Sequence, residues 1–299
     1  MQTAWVFPGQ GSQKLGMGKD VIEINDAKRR FDFASNIFEK DLYQICGDTI
    51  DSQNAENDIN HTKNTQICLF LVESILLDAL KSKGYKPDFL AGHSLGEITA
   101  LYAAEVISFE LAVSLIKIRS ELMSEAVKGS MAALIGFNRD QLEKGVESID
   151  DVVIANDNSS SQVVLSGKKD ALENLSKIVQ SKRFIFLNVS GAFHSHFMNE
   201  PSLKFSQYLD TVDFNKAIFP VISNSNPTFS VDANELKNRL KEQMCNGVRW
   251  RETMDLLEKQ MNPVHIVEIG PSSVLGGLAK RHLKNARISQ VSSLSSISY

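Results

Sequence analysis

The stretch "DFLAGHSLGEITALYAAEV", residues 88–106, joins an apolar strand pattern to a helical one through Gly92-His93-Ser94-Leu95-Gly96. A G-x-S-x-G at such a junction marks a sharp strand-to-helix turn, whose glycines leave room for the backbone while the serine hydroxyl stands exposed. The same turn aims the N-terminus of the following helix at Ser94, so the Leu95 amide is a candidate oxyanion donor. The bland alternative is a tight helix start with an ordinary serine. A strand pattern before the motif and a helix pattern after it favour the nucleophile.

Outward from this turn, "AWVF" reads as a short buried strand that runs into the glycine-rich "PGQGSQKLGMG". Helical spacing follows over 27–38 and 64–84, then about 95–105 and 109–127, the last with Ser108 as its N-cap. From residue 131 the texture changes. Strands are expected at 131–137, 152–156, 162–167 and 184–189, with helices at 139–148 and 169–182, a β-α-β-β-α-β order. Strands at 220–224 and 265–270 and helices at about 232–245, 250–260 and 274–284 complete the chain. The expectation is an α/β fold: an α/β-hydrolase-like large domain, residues 1–128 and 195–299, with an inserted ferredoxin-like small subdomain, residues 129–194.

Composition narrows the function classes. The 299 residues are 42% hydrophobic and 23% charged with a net charge of -4, which suits a globular protein and offers no global attraction to nucleic acid or a membrane surface. Three cysteines, Cys46, Cys68 and Cys245, form no CxxC pair, so no thiolate metal site is expected and the thiols are expected reduced. The N-terminus lacks a basic and then apolar leader pattern, and the most apolar later run is broken by Glu73 and Asp78. A cytoplasmic enzyme is the expectation.

A nucleophilic serine needs a base. Of the six histidines, chain order in hydrolases with this elbow favours one that follows the serine: His194, His196, His265 or His282. His194, in "LNVSGAFHSHFM", is placed to lean over the large domain from the end of the small one. His265 opens an apolar strand and reads as a packed histidine, while His196 and His282 read as helix-surface residues. No acidic residue stands out as a third member, and a carbonyl oxygen can orient an imidazole instead. The glycine-rich N-terminus fits neither a dinucleotide fingerprint, which needs glycine at Lys14, nor a phosphate loop, which needs lysine at Met17. A turn that supplies a second amide to the oxyanion is the functional alternative.

Taken together, "FPGQGSQ", "GHSLGE", "IRSELM", "GAFHS", "QMCNGVRW" and "EIGPSSVLGGL" resemble the malonyl-CoA:acyl-carrier-protein transacylases of fatty-acid synthesis and the acyltransferases of polyketide synthases. The similarity runs in the family's order over nearly the whole chain. It implies that Ser94 attacks the thioester of malonyl-CoA, that His194 is general base and then acid, and that the amides of Gln10 and Leu95 form the oxyanion hole. By the same resemblance Gln243 supplies the carbonyl that orients the histidine, Arg119 pairs with the malonyl carboxylate, and Phe193 fills the space an α-methyl would need. The arginine also has a chemical warrant, since a planar guanidinium binds a carboxylate through two parallel hydrogen bonds. One departure is Gly247, where many relatives carry proline before the "VRW" segment.

The resemblance implies ping-pong transfer to the phosphopantetheine thiol of an acyl carrier protein, with no metal and no resident cofactor, by a chain expected to act as a monomer. Lys280, Arg281, Lys284 and Arg287 offer a basic surface to an acidic carrier. The rival reading is a proofreading hydrolase that uses the same Ser94 and His194 to cleave acyl thioesters with water.

Overall fold

A continuous apolar run such as "TAWVF" fits a strand covered on both faces, the environment of a central strand in a parallel sheet. In the computed structural model, which describes residues 2–47, 57–126, 128–261 and 263–297, that run is β1 (Thr3–Phe7), with Ala4 to Phe7 fully buried. Three helices follow, α1 (Ala27–Phe38), α2 (Leu42–Ile45) and α3 (Thr62–Ser82), and then β2 (Phe89–Gly92), α4 (Gly96–Ala103) and α5 (Phe109–Glu125). α3 is buried on nearly every side, as its sequence "ICLFLVESILL" requires. Ser108 caps α5 by accepting the Leu111 amide. Val127, the last residue of the helix predicted there, lies outside the described residues.

The next elements are β3 (Ser130–Phe137), α6 (Arg139–Ser148), β4 (Val152–Ser159), β5 (Gln162–Gly167), α7 (Lys169–Ile178) and β6 (Ser181–Phe186). They form an antiparallel sheet in the order β4-β5-β3-β6. Period-two alternation divides its faces. Ala132, Leu134, Val163 and Leu165 point to the sheet's own core beneath α6 and α7, and Met131 and Val164 join the main core. The helix expected at 169–182 is shorter, because Ser181 and Arg183 pair with Phe137 and Ile135 of β3. The strand therefore starts three residues earlier than its apolar run and ends before Leu187.

The chain then returns through α8 (Asn199–Leu209), β7 (Val221–Ile222), β8 (Phe229–Ser230), α9 (Ala233–Glu242), α10 (Trp250–Gln260), β9 (His265–Ile269), α11 (Val274–His282) and β10 (Arg287–Val291). The large sheet runs β10-β9-β1-β2-β7-β8 and is parallel except for the β7–β8 pair. Phe7 registers with Gly92, so β1 and β2 end side by side, and the loops after them meet at the carboxyl edge of the sheet. In open parallel sheets that edge is where ligands bind. No described helix is long and apolar enough to cross a membrane.

Candidate active site

Ser94 stands two residues past the end of β2, and the positions two before and two after it must be glycine. A Cβ at Gly92 would lie 1.9 Å from the Gly96 carbonyl carbon, and one at Gly96 would lie 2.0 Å from the Phe7 carbonyl oxygen. The turn puts Ser94 itself in the left-handed region, at φ +52°, which costs a non-glycine residue on the order of 1 kcal/mol. Asn224, just beyond β7, holds it there. Its Oδ1 accepts the Ser94 amide at 2.6 Å, and its Nδ2 donates to the Gly92 carbonyl at 2.5 Å.

His194 stands on the segment between β6 and α8, also at positive φ, +55°. Two contacts fix that segment: the His194 amide donates to the Met244 carbonyl at 3.1 Å, and the Ser166 hydroxyl donates to the Phe193 carbonyl at 2.6 Å. The ring lies between serine and backbone. Nε2 is 2.8 Å from Ser94 Oγ, and Nδ1 faces the carbonyl oxygens of Gln243 at 3.0 Å and Asn246 at 3.1 Å. Two acceptors at Nδ1 place the ring proton there, so Nε2 is left to accept the serine hydroxyl. Burial, aided by the Arg119 charge, lowers the His194 pKa to about 3, which keeps the ring in its neutral, proton-accepting form.

Arg119 comes from α5 and is buried, with 1% exposure. Its Nη1 donates to Gln66 Oε1 at 2.7 Å, and its Nη2 donates to Ser94 Oγ at 3.1 Å and to Gln243 Oε1 at 2.9 Å. Its Nε is buried and has no partner among the described residues. Burial lowers its pKa to about 10, with the Glu97 charge opposing the fall. The guanidinium therefore stays cationic at neutral pH, and all three of its acceptors are neutral groups.

Ser94, His194, Arg119, Gln10, Leu95 and Phe193 line one cleft of about 260 Å³. Gln243, the seventh residue expected from sequence, lies beneath it at the C-terminal end of α9. Its backbone carbonyl meets His194, while its side chain bridges Arg119 to Glu97. The other candidate bases lie elsewhere. His196 pairs with Asp151, His282 with Asp255 and His265 with Ser289, while His93 turns away from the serine toward Asn158 at 2.9 Å.

Sequence reasoning missed three residues of this network. Glu97 sits within the quoted motif three positions after Ser94, one helical turn along, and its Oε2 accepts from Gln243 Nε2 at 2.8 Å and from the Asn224 amide at 3.2 Å. That spacing was a usable signal. Asn224 and Gln66 carried none, since each reaches the site only through tertiary contacts.

The arrangement can polarise a serine hydroxyl, hold the resulting imidazolium against two carbonyls and grip an anion beside the nucleophile. Comparison with known proteins shows what the whole chain is similar to. The chain is 44% identical to the malonyl CoA-acyl carrier protein transacylase of Synechocystis over 99% of its own length and all of that protein's. It superposes on the crystal structure of the Synechocystis malonyl-CoA:ACP transacylase with a TM-score of 0.94 at 42% identity, covering 99% of both chains. A malonyl-transacylase solved in complex with its type II polyketide-synthase acyl-carrier protein gives a TM-score of 0.91 at 32% identity, over 99% of this chain and 98% of that one. The model of the acyl transferase domain family matches residues 4–297, and the chain belongs to that family.

Proposed function

We propose that the chain moves malonyl from malonyl-CoA to the phosphopantetheine thiol of an acyl carrier protein by a ping-pong mechanism. Ser94 Oγ attacks the thioester carbonyl carbon as His194 Nε2 takes its proton, and the developing oxyanion faces the amides of Gln10 and Leu95. Neither amide has an acceptor among the described residues, which supports that role. The tetrahedral species collapses, the C–S bond breaks, and His194 returns the proton to the leaving coenzyme A sulfur. The second half repeats these steps in reverse with the carrier thiol as nucleophile. Only thioester, hydroxyl and imidazole take part, so the step calls for no metal and no resident cofactor.

The observation that carries the reading is Arg119, a buried cation 3.1 Å from Ser94 Oγ with an unpartnered Nε. Buried charge is costly unless it is paired, and the free carboxylate of malonyl is the partner this position suits. A thioesterase acting on neutral acyl chains has no use for such a cation, which disfavours hydrolysis. Phe193, buried in the cleft wall, is proposed to crowd a branched extender unit. Relatives named as malonyl CoA-acyl carrier protein transacylases, and the malonyl-transacylase solved with a type II polyketide-synthase carrier protein, support this transfer.

We take the monomer as the working unit. Free Cys46, Cys68 and Cys245 suit a reducing, cytoplasmic setting. For the partner, α11 borders the cleft through Val274, Leu275 and Leu278. Lys280 and Arg281 on α11, Lys284 after it and Arg287 at the start of β10 are exposed and form no ion pair among the described residues, a basic surface proposed to suit an acidic carrier protein. We further assign the β3–β6 unit, within residues 129–194, as a ferredoxin-like subdomain, supported by its β-α-β-β-α-β order and antiparallel β4-β5-β3-β6 sheet. Residues 1–128 and 195–299 are assigned as an α/β-hydrolase-like domain, supported by the parallel sheet and the Ser94 turn.

The test is to incubate the protein with malonyl-CoA and a phosphopantetheinylated carrier protein and to follow malonyl-carrier by mass. Accumulation of malonyl-carrier supports transfer. Release of free malonate at the rate of coenzyme A release, with the carrier unmodified, contradicts it.

A further inference from the structure

Arg119 is a buried cation with no carboxylate in direct contact, and the carboxyl group of Glu97 stands one residue away through Gln243, its pKa raised by burial and only partly held down by Gln243, Asn224 and the Arg119 charge. Glu97 is itself buried, at 1% exposure, and a buried carboxylate survives only when donors hold it. Its Oε2 has two, Gln243 Nε2 at 2.8 Å and the Asn224 amide at 3.2 Å. Both donors belong to residues that shape the site. Asn224 fixes the backbone of the Ser94 turn, and Gln243 provides the carbonyl facing His194 Nδ1.

The Gln243 amide has one permitted orientation. Its Oε1 accepts from Arg119 Nη2 at 2.9 Å, and its Nε2 donates to both Glu97 Oε2 and the Ser94 carbonyl at 2.8 Å. A flipped amide would set NH₂ against the guanidinium and C=O against the carboxylate, so the two charges lock it from opposite ends. The separation also matters for binding. An arginine paired directly to a carboxylate would have to break that ion pair to take a substrate anion. One held by Gln66, Gln243 and Ser94 exchanges only neutral contacts.

We propose that Glu97 is a positioning residue for the transfer reaction: a counter-charge that acts through the Gln243 side chain to tether the His194 support and to moderate the pull of Arg119 on the malonyl carboxylate. The proposal rests on the malonyl-transfer reading above.

Single-turnover acylation separates the two actions. Glu97→Gln keeps the size and an acceptor for Gln243 and Asn224 but removes the charge. Its half-saturating malonyl-CoA concentration is expected to fall about fivefold or more, with a slower maximal rate. The inhibition constant of acetyl-CoA, which has no carboxylate for Arg119, is expected to stay unchanged. Glu97→Asp keeps the charge but is one methylene short of Gln243, so half-saturation stays near the wild-type value while the maximal rate falls.

A purely structural glutamate would instead weaken both coenzyme A esters together. Unchanged or weaker malonyl-CoA saturation in Glu97→Gln, or an equal shift for acetyl-CoA, overturns the proposal. Melting curves monitor folding. If Glu97→Gln does not fold, Glu97→Asp decides, and an unchanged maximal rate or a tenfold weaker saturation there overturns the proposal. A wild-type enzyme that forms no malonyl adduct overturns the transfer reading itself, an outcome distinct from a failure of the Glu97 variants alone.

Discussion

Arg119 Nη2 donates to the hydroxyl oxygen of Ser94 across 3.1 Å, so the cation assigned to bind substrate and the assigned nucleophile share a hydrogen bond. A carboxylate that draws the guanidinium away frees a Ser94 lone pair for attack. Binding of the right acyl group and exposure of the nucleophile are thereby linked. For Arg119→Ala, acylation by malonyl-CoA is expected to drop by about 100-fold, the scale of a lost pair of charged hydrogen bonds. Acylation by acetyl-CoA should change far less. Parallel rapid-quench measurements with the two thioesters check this, and equal losses would remove Arg119 from carboxylate recognition.

The pH profile of acylation follows from His194. Burial and the neighbouring Arg119 lower its pKa to about 3, so the free enzyme keeps its base through the range where an ordinary histidine is protonated. Acylation measured as kcat/KM for malonyl-CoA should lack a break near pH 6.5. The stability sign is also fixed. The unfolded histidine protonates near 6.5 and the folded one does not, so this stabilising contribution is complete above pH 6.5 and is lost as pH falls toward 3. A kinetic break at 6.5 would mean a solvated, ordinary imidazole.

Glu268 on β9 acts in the opposite sense. Its carboxylate accepts the Leu275 and Gly276 amides at the start of α11, at 3.0 and 2.6 Å, yet burial pushes its pKa up to about 7. Burial raises Glu73 as well. A carboxyl group with a folded pKa above its unfolded value of 4.5 stabilises the fold below that value and loses this contribution as pH rises through 7. The effect for Glu268 is on the order of 3 kcal/mol. Glu268→Gln should therefore be less stable than wild type at pH 5 and close the gap by pH 8, read as the difference between two melting curves. A gap independent of pH would contradict the assignment.

Ser94 sits at a left-handed φ of +52°, a conformation glycine adopts freely and alanine does not. Ser94→Gly should thus be more stable than Ser94→Ala by about 1 kcal/mol in denaturant unfolding, while neither forms an acyl adduct. Equal stabilities would imply a relaxed turn.

Phe193 lines the cleft beside His194. Shortening it in Phe193→Ala should raise the ratio of methylmalonyl to malonyl loading about tenfold, since removing a clash recovers more than an added methyl group gains by contact. Competition between the two thioesters measures the ratio directly. An unchanged ratio would leave Phe193 as ordinary packing.

Local chemistry explains what was legible in the sequence. Gly92 announces the Ser94 turn because a Cβ there would strike Gly96 within the same short segment, whereas Gly96 excludes one through a tertiary contact with Phe7. The ranges of α1 and α10 follow from strong periodicity. Other elements were not expected: α8 carries Pro201, which falls in the first turn, where its missing N–H costs nothing. The half-exposed edge strand β10 carries little alternation. Arg119 and Gln243 were reached through the family resemblance, since a lone arginine on a helix has no pattern of its own. Glu97 was overlooked because its role depends on Gln243, 146 positions away.

The most direct test of the account is intact-protein mass spectrometry after mixing with malonyl-CoA, for wild type, Ser94→Ala and Arg119→Ala, followed by addition of a phosphopantetheinylated carrier protein. The account predicts a malonyl adduct that requires Ser94, is weakened without Arg119 and discharges onto the carrier thiol. An adduct that persists in Ser94→Ala, or one that decays to free malonate without loading the carrier, would contradict it.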